Sequence, residues 1–454
     1  MASDGSPRDG RALGFWLALA LVVGNFIGSG IFLLPAQLAP YGWNAFFGWV
    51  LTIAGALCLA FVFGRLARAM PAAPGPFTYV EDAFGAPAAF MVSWSYWISI
   101  LVGNAALGAA AVSYLSLFFP QLATVSGLGA IVSIALVWAF TAANCISVRL
   151  GGGIQAVTVV AKLVPLVAVI LITILVLASG RHDPVPAFHA RDLSFGSINA
   201  AATLTLWALL GVECASIAAR NVREPGRNIP RATMIGTVLV GIIYIIVSSG
   251  VAMLLPQGQV AQSNAPIALY VSHYWNPGLA LVVGAFATVS VLGALNGFIL
   301  LQGEMPLVMA KGGGFPHWFA KTSRTGIPVR AHILSSLCTS LLLLANYSSS
   351  LAELFQFTIL LATSSTLILY LSCSLAALRL QQNRRMASSP ALAIVAAVAA
   401  LYSIWTLWGA GLDALKWGAV LLLAGGLIYG LMRAVNRSSP AAAASPAAPP
   451  ESAA

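Results

Sequence analysis

Charge is what this chain has least of. Twelve of its 454 residues are acidic, and charged residues of both signs make up 7% of the sequence. No polar block is long enough to build a soluble domain. Hydrophobic residues reach 59% and the mean hydropathy is +0.91, which identifies an integral membrane protein. The net charge of +10 comes from basic residues scattered singly between apolar runs, a distribution that sets membrane orientation and does not fit nucleic acid. Cysteine is sparse. Cys58, Cys145, Cys214, Cys338 and Cys373 fall within or at the edges of predicted membrane helices, with neither metal-ligand spacing nor a disulfide pattern, and read as small buried hydrophobes. His182, His189, His273, His317 and His332 sit in loops or at helix ends and offer neither a metal triad nor a buried dyad. There is no P-loop, nucleophile elbow, His-Glu-x-x-His or Rossmann fingerprint, and the two triple-glycine runs lack the Lys-Ser/Thr of a phosphate cradle. No cofactor, metal or enzymatic centre is expected, and no filter or continuous polar lining suggests a channel.

The apolar runs predict twelve membrane helices, over 13–36, 43–66, 85–118, 125–148, 152–179, 196–220, 230–255, 277–309, 329–347, 352–379, 388–410 and 414–434. The first is too long for a signal-peptide core and is kept as helix one. With a cytoplasmic N-terminus, 18 of the 22 Lys and Arg residues fall on the cytoplasmic side. Only Arg181, Arg191 and Lys416 fall opposite. That asymmetry places both termini in the cytoplasm and supports an even helix number. Residues 1–12 read as a polar, mobile arm. The tail 438–454, rich in Ala, Pro and Ser, reads as disordered.

The first run contains Gly24-Asn25-Phe26-Ile27-Gly28-Ser29-Gly30-Ile31-Phe32, with Pro35 behind it. Glycines weaken a helix interior, and in lipid every freed backbone group needs another partner. Such a stretch either packs closely against a neighbour or breaks the helix to line a polar cavity. In the second case the N–H groups of Gly28, Ser29 and Gly30 form an anion site suited to a carboxylate. A second interruption, Trp207-Ala208-Leu209-Leu210-Gly211-Val212-Glu213, lies in helix six. Breaks at matching places in two halves of a chain point to a transporter site, which favours the binding reading.

Three polar residues lie deep in predicted helices. Glu213 is the one acid at mid-membrane, costly by roughly 3 kcal/mol to insert, and a candidate to exchange a proton near neutral pH. Its bland alternative is a protonated structural carboxyl. Lys162 is the one base inside a helix. It either bridges carbonyls freed by the helix-one break, standing where a coupling sodium would sit, or snorkels to the interface. Asn104 either bonds a substrate or joins two helices. Tyr96, Trp207, Phe298 and Tyr370 are aromatic gate candidates that singly read as packing.

Gly24–Pro35, Tyr96-Trp97 with Gly103-Asn104, Leu206-Trp207 with Gly211-Val212-Glu213, Arg227-Asn228-Ile229-Pro230 and Gly314-Phe315-Pro316 together resemble the amino acid–polyamine–organocation superfamily. The likeness is nearest to its basic amino acid and polyamine antiporters, those of the arginine/agmatine type included. It runs from Gly24 to about Arg379.

The resemblance implies an all-α integral membrane fold of the leucine-transporter type. Its core, 13–380, would hold five-plus-five inverted repeats over about 13–179 and 196–380, with helices 1 and 6 discontinuous. Helices 11 and 12, at 381–437, would follow, and the protein would often be a homodimer in the lipid bilayer of the cell inner membrane. The resemblance further implies that Ser29 and Gly30 bind the substrate carboxylate. The carbonyls of Phe26, Trp207 and Leu210 would take the α-amino group, Trp207 would stack on the side chain, and Asn104 would bond its polar end. Tyr96, Glu213 and Tyr370 would gate the extracellular side. Phe298 stands where relatives have a second gating tryptophan, and a phenylalanine face attracts a cation more weakly. The side-chain pocket reads Ser99, Ile100, Leu107 and Ala362.

The expected function is sodium-independent, pH-linked exchange of a basic, arginine-like amino acid for its decarboxylated, agmatine-like amine. The alternative is a neutral amino acid exchanger or proton-coupled uptake carrier.

Overall fold

The computed structural model describes residues 14–70, 75–146, 148–180, 183–213, 222–346 and 348–438. The arm 1–12, the tail beyond Ser438, Cys214 and the far flank of the second break lie outside the described residues, as do Arg8, Arg11, Arg181, His182 and Arg220. Among the described residues the regular elements are helices, with no strand. In chain order the main ones are α1 (Phe15–Phe26), α2 (Ser29–Leu38), α3 (Trp43–Ala69), α4 (Pro76–Phe84), α5 (Ala86–Leu115), α6 (Leu128–Ile146), α7 (Val148–Ser179) and α8 (Phe195–Trp207). There follow α9 (Pro225–Leu254), α10 (Pro266–Tyr274), α11 (Pro277–Lys311), α12 (Val329–Ala345), α13 (Leu351–Gln382), α14 (Pro390–Gly409) and α15 (Gly411–Ser438). Among the described residues ten candidate spans are long and apolar enough to cross a membrane, the first running through α1 and α2, and α12 is a shorter apolar helix. The protein is a multi-pass membrane protein.

Local chemistry explains where the helices start. Pro76, Pro225, Pro266, Pro277 and Pro390 open α4, α9, α10, α11 and α14, where a missing N–H costs nothing. Asn276 caps α11 by accepting from the N–H groups of Gly278 and Leu279, and Ser350 and Glu353 form a reciprocal capping box on α13.

Helix α5 runs through the centre of the bundle. Nearly every residue from Ala89 to Tyr114 is buried, against α13 on one side and α11 on another. Its small residues, Gly103, Ala105, Ala106, Gly108 and Ala109–Ala111, allow that close packing, which in lipid replaces the missing hydrophobic drive between helices. At the periphery, α15 leaves Trp417, Leu423, Leu427 and Leu431 exposed, as a lipid-facing helix does. It is tied to the centre by Trp94, whose Nε1 donates to the Leu421 carbonyl at 2.8 Å.

The first predicted interruption exists, and at the second the helix stops where expected, its continuation lying outside the described residues. α1 stops at Phe26, Ile27 and Gly28 leave helical geometry, and α2 restarts at Ser29. α8 stops at Trp207, and the chain turns through 208–213 with Gly211 at φ +115°, a backbone state that disfavours any residue with a Cβ.

The candidate substrate site between the two breaks

The breaks face each other. A Cβ built on Gly30 would lie 2.7 Å from Ala208 Cβ and 3.3 Å from Trp207 Cδ1, so only a bare glycine lets them meet. Trp207 Nε1 donates to Ser29 Oγ at 3.3 Å. The far edge of the same indole lies over Gly103 of α5, whose missing Cβ also makes room for Phe298. The Trp207 and Phe298 rings stand 6.4 Å apart, tilted by 54°.

A cavity remains between these groups. Asn25, Phe26, Gly28, Ser29 and Gly30 of the first break line it, with Trp207, Ala208 and Leu210 of the second, Leu107 of α5, and Ala294 and Phe298 of α11. Its free space is about 30 Å³, the share of a single water and far below the ~300–1,000 Å³ of an open ligand pocket. The structure is therefore a closed state, with Trp207 and Phe298 folded in. The first turn of α2 lines this space, and Gly28 offers no side-chain cap for its N–H groups. A helix N-terminus with free donors and a positive partial charge receives a carboxylate.

The carbonyls released by the first break are held by side chains from far along the chain. In an unbroken helix the Gly24 carbonyl would bond the N–H of Gly28. It instead accepts from Lys162 Nζ at 2.9 Å, and Lys162 is 2% exposed. The ammonium thus holds one carbonyl freed by the break, at a depth that does not suit snorkelling to the interface. The Phe26 carbonyl accepts from Tyr244 Oη at 2.7 Å. Tyr244, on α9, carried no signal in the sequence beyond its type. An amino group reaching the Phe26 carbonyl would use its second lone pair.

Glu213 joins the two tyrosines expected beside it. Tyr96 Oη donates to Oε1 at 2.9 Å and Tyr370 Oη donates to Oε2 at 2.7 Å. The Gly211 N–H donates to Tyr370 Oη at 3.2 Å, which locks the trio to the second break. The resemblance implies an extracellular gate for this trio, and the structure sets it beside the end of α3 that carries Arg65 and Arg68. Tyr370 packs on Phe63 and Tyr96 on Phe77, and Cys373, one turn beyond Tyr370, meets the Pro76 carbonyl. Those residues surround the end of α3 that carries Arg65 and Arg68. On the orientation expected from the charge asymmetry, that end would face the cytoplasm. The physical reason is chain direction: α8 enters from the opposite end, so residues after its break lie nearer the basic loops.

Phe26, Ser29, Gly30, Trp207, Leu210 and Phe298 thus share one cavity, while Asn104, Ser99 and Ala362 lie outside its closed lining. Ser99 Oγ is 2.5 Å from Thr366 Oγ1 of α13, and Ala362 is wholly buried. Asn104 Nδ2 donates to Gln302 Oε1 at 2.7 Å. Its own oxygen is buried and has no partner among the described residues, a state that costs about 1–3 kcal/mol while it lasts. Gln302 was invisible in the sequence as a site residue, because nothing local marks a glutamine on α11 as the neighbour of Asn104 on α5.

Known proteins are similar to this chain over most of its length. The amino acid permease family matches residues 13–424. The cadaverine/lysine antiporter of Escherichia coli (strain K12) is 34% identical over 350 residues, 75% of this chain and 76% of that protein. The putrescine transporter PotE of the same strain is 30% identical over 417 residues, 91% of this chain and 94% of that one. PotE of Haemophilus influenzae is 29% identical over 421 residues, 91% and 95% of the two chains.

Proposed function

We propose, from the premise that this chain belongs to the amino acid permease family, that it exchanges a basic amino acid for its decarboxylated amine across the cell inner membrane. The observation that carries the reading is the meeting of two helix breaks at one cavity, with free N–H donors at one wall and two aromatic faces at the other. The donors suit a carboxylate. Trp207 and Phe298 suit a cationic or long aliphatic tail. Of the substrates named for the relatives, lysine has both ends of that design, and cadaverine and putrescine have the cationic, aliphatic end alone, so lysine and cadaverine join arginine and agmatine as the first pairs to test.

Lys162 supports sodium independence, since its ammonium occupies the freed Gly24 carbonyl. Alternating access would move the halves 13–179 and 196–380 as inverted repeats about the two breaks, with both termini cytoplasmic and Tyr96–Glu213–Tyr370 as a cytoplasmic gate. Exchange of a singly charged basic amino acid for a doubly charged diamine exports one positive charge per cycle, and the decarboxylation that makes the diamine consumes one proton.

A second reading, exchange of neutral amino acids, draws on the apolar character of Phe298, Ile100 and Ala362. Purified protein in liposomes loaded with lysine, arginine, leucine, cadaverine or agmatine separates the two. Uptake of radiolabelled lysine or arginine stimulated by an internal amine supports the first reading. Stimulation by internal leucine alone overturns it in favour of the second.

A further inference from the structure

A chain of hydrogen bonds runs behind Phe298 through α5, α6, α11 and α12. Thr141 Oγ1 donates to the Val137 carbonyl at 2.7 Å and lies 2.6 Å from Ser336 Oγ. Gln302 Nε2 donates to Ser336 Oγ at 2.8 Å, and Asn104 Nδ2 donates to Gln302 Oε1 at 2.7 Å. Thr141, Ser336, Gln302 and Asn104 are all buried.

The chain has a direction. A hydroxyl carries one proton. The Thr141 proton is on Val137, so the proton between Thr141 and Ser336 belongs to Ser336. Ser336 must then accept from the Gln302 amide nitrogen. That turns the Gln302 oxygen toward Asn104 and the Asn104 nitrogen toward Gln302. The Asn104 oxygen is left buried and without a partner among the described residues. Amide orientation is decided by such networks, and the reversed polarity would forfeit the Thr141–Val137 bond. Asn104 shares a face of α5 with Leu107, which lines the cavity three residues on. It also follows Gly103, over which the Trp207 and Phe298 rings close. Gln302 stands one turn beyond Phe298 on α11.

We propose that Gln302 is a positioning residue for specificity: held by the Val137–Thr141–Ser336 relay, it locks the Asn104 amide with its oxygen free, so that the site favours a substrate whose far end carries an ammonium or other N–H donor over one ending in a methyl or carboxylate group. The proposal rests on the exchange reading above and names what selects the cationic end. Opening of the aromatic pair brings the substrate's far end to that oxygen, which then gains the bond it lacks in the closed state.

The test compares lysine with norleucine, the same skeleton without the terminal amine, as KM and kcat in proteoliposomes. Gln302→Met keeps the volume and removes the acceptor, which frees the Asn104 amide to turn. It is expected to reduce the preference for lysine about tenfold through KM, with kcat changed less than about threefold. Gln302→Glu, protonated in this setting, presents a carbonyl to Asn104 and a hydroxyl to Ser336, and is expected to keep the wild-type preference. Ser336→Ala breaks the relay one step earlier, should shift the ratio in the same direction, and carries the test if Gln302→Met does not fold. Wild-type preference in both Gln302→Met and Ser336→Ala overturns the relay and leaves the exchange reading standing. A wild-type protein that takes norleucine over lysine overturns both.

Discussion

Glu213→Gln is the substitution from which the geometry predicts most. The Glu213 carboxyl accepts from Tyr96 and Tyr370 at 2.9 and 2.7 Å, and those tyrosines come from α5 and α13, so the trio clasps three segments together, most tightly when the carboxyl is ionised. Hydrogen bonds to a charged group contribute about 1.5–3 kcal/mol, against about 0.5–1.5 for neutral ones. Protonation of Glu213 converts two of the first kind into the second, a loss of roughly 1 kcal/mol each, or ~2 kcal/mol for the clasp. At 1.4 kcal/mol per decade this shifts the closed-to-open equilibrium about 30-fold. The sign follows: the clasp is strongest when the carboxylate is charged and weakens as pH falls, so the gate opens more readily in acid and exchange accelerates. The glutamine side chain cannot ionise and holds the tyrosines through neutral bonds at every pH. The variant is therefore predicted to lose the pH dependence and to run near the acid limit of the wild type. The assay is counterflow with equal pH on both sides, saturating internal substrate, and a series from neutral to acid. A variant that keeps the wild-type slope, or a wild type that slows in acid, would refute the reasoning.

Two further predictions follow from the same site. Lys162→Ala removes a charge-assisted bond of about 1.5–3 kcal/mol and orphans the Gly24 carbonyl; transport should fall at least about tenfold while the purified protein keeps its elution volume, and full activity would remove the bridging role. Gly30→Ala puts a methyl group 2.9 Å from the Ala208 backbone, an overpacking of about 1–3 kcal/mol. Substrate affinity measured by calorimetry should drop, whereas Gly426→Ala, with nothing within 4 Å of the new carbon, should leave it unchanged; equal affinity in the two variants would count against apposed breaks.

Much of this arrangement was legible along the chain because lipid makes local signals strong. Apolar runs locate the helices to within a few residues, as α11 at Pro277–Lys311 beside the expected 277–309 illustrates. The glycines at 28, 30 and 211 mark the breaks for the same reason, since a freed backbone group in a membrane must find a partner. Glu213 and Lys162 stood out because a charge at depth is rare and costly. Partners that lie far apart in sequence were not legible. Tyr244 is 218 residues from the Phe26 carbonyl it holds, and Gln302 is 198 residues from Asn104. Neither belongs to a local pattern, because the helices that carry them are brought together only by packing.

The amino-acid sequence by itself determined that the chain crosses a membrane many times, that helical geometry is lost near Gly28 and after Trp207, and which charges lie deep. Each follows from the cost of polar groups in hydrocarbon, a cost any local segment incurs alone. Only the tertiary structure decided that Gly30 and Ala208 touch, that Glu213 is clasped at the basic end of the bundle, and that the Asn104 oxygen is left free. Those outcomes depend on which helices are neighbours and which way a hydrogen-bond chain runs, and direction in such a chain is a property of the assembled network and of no residue in it.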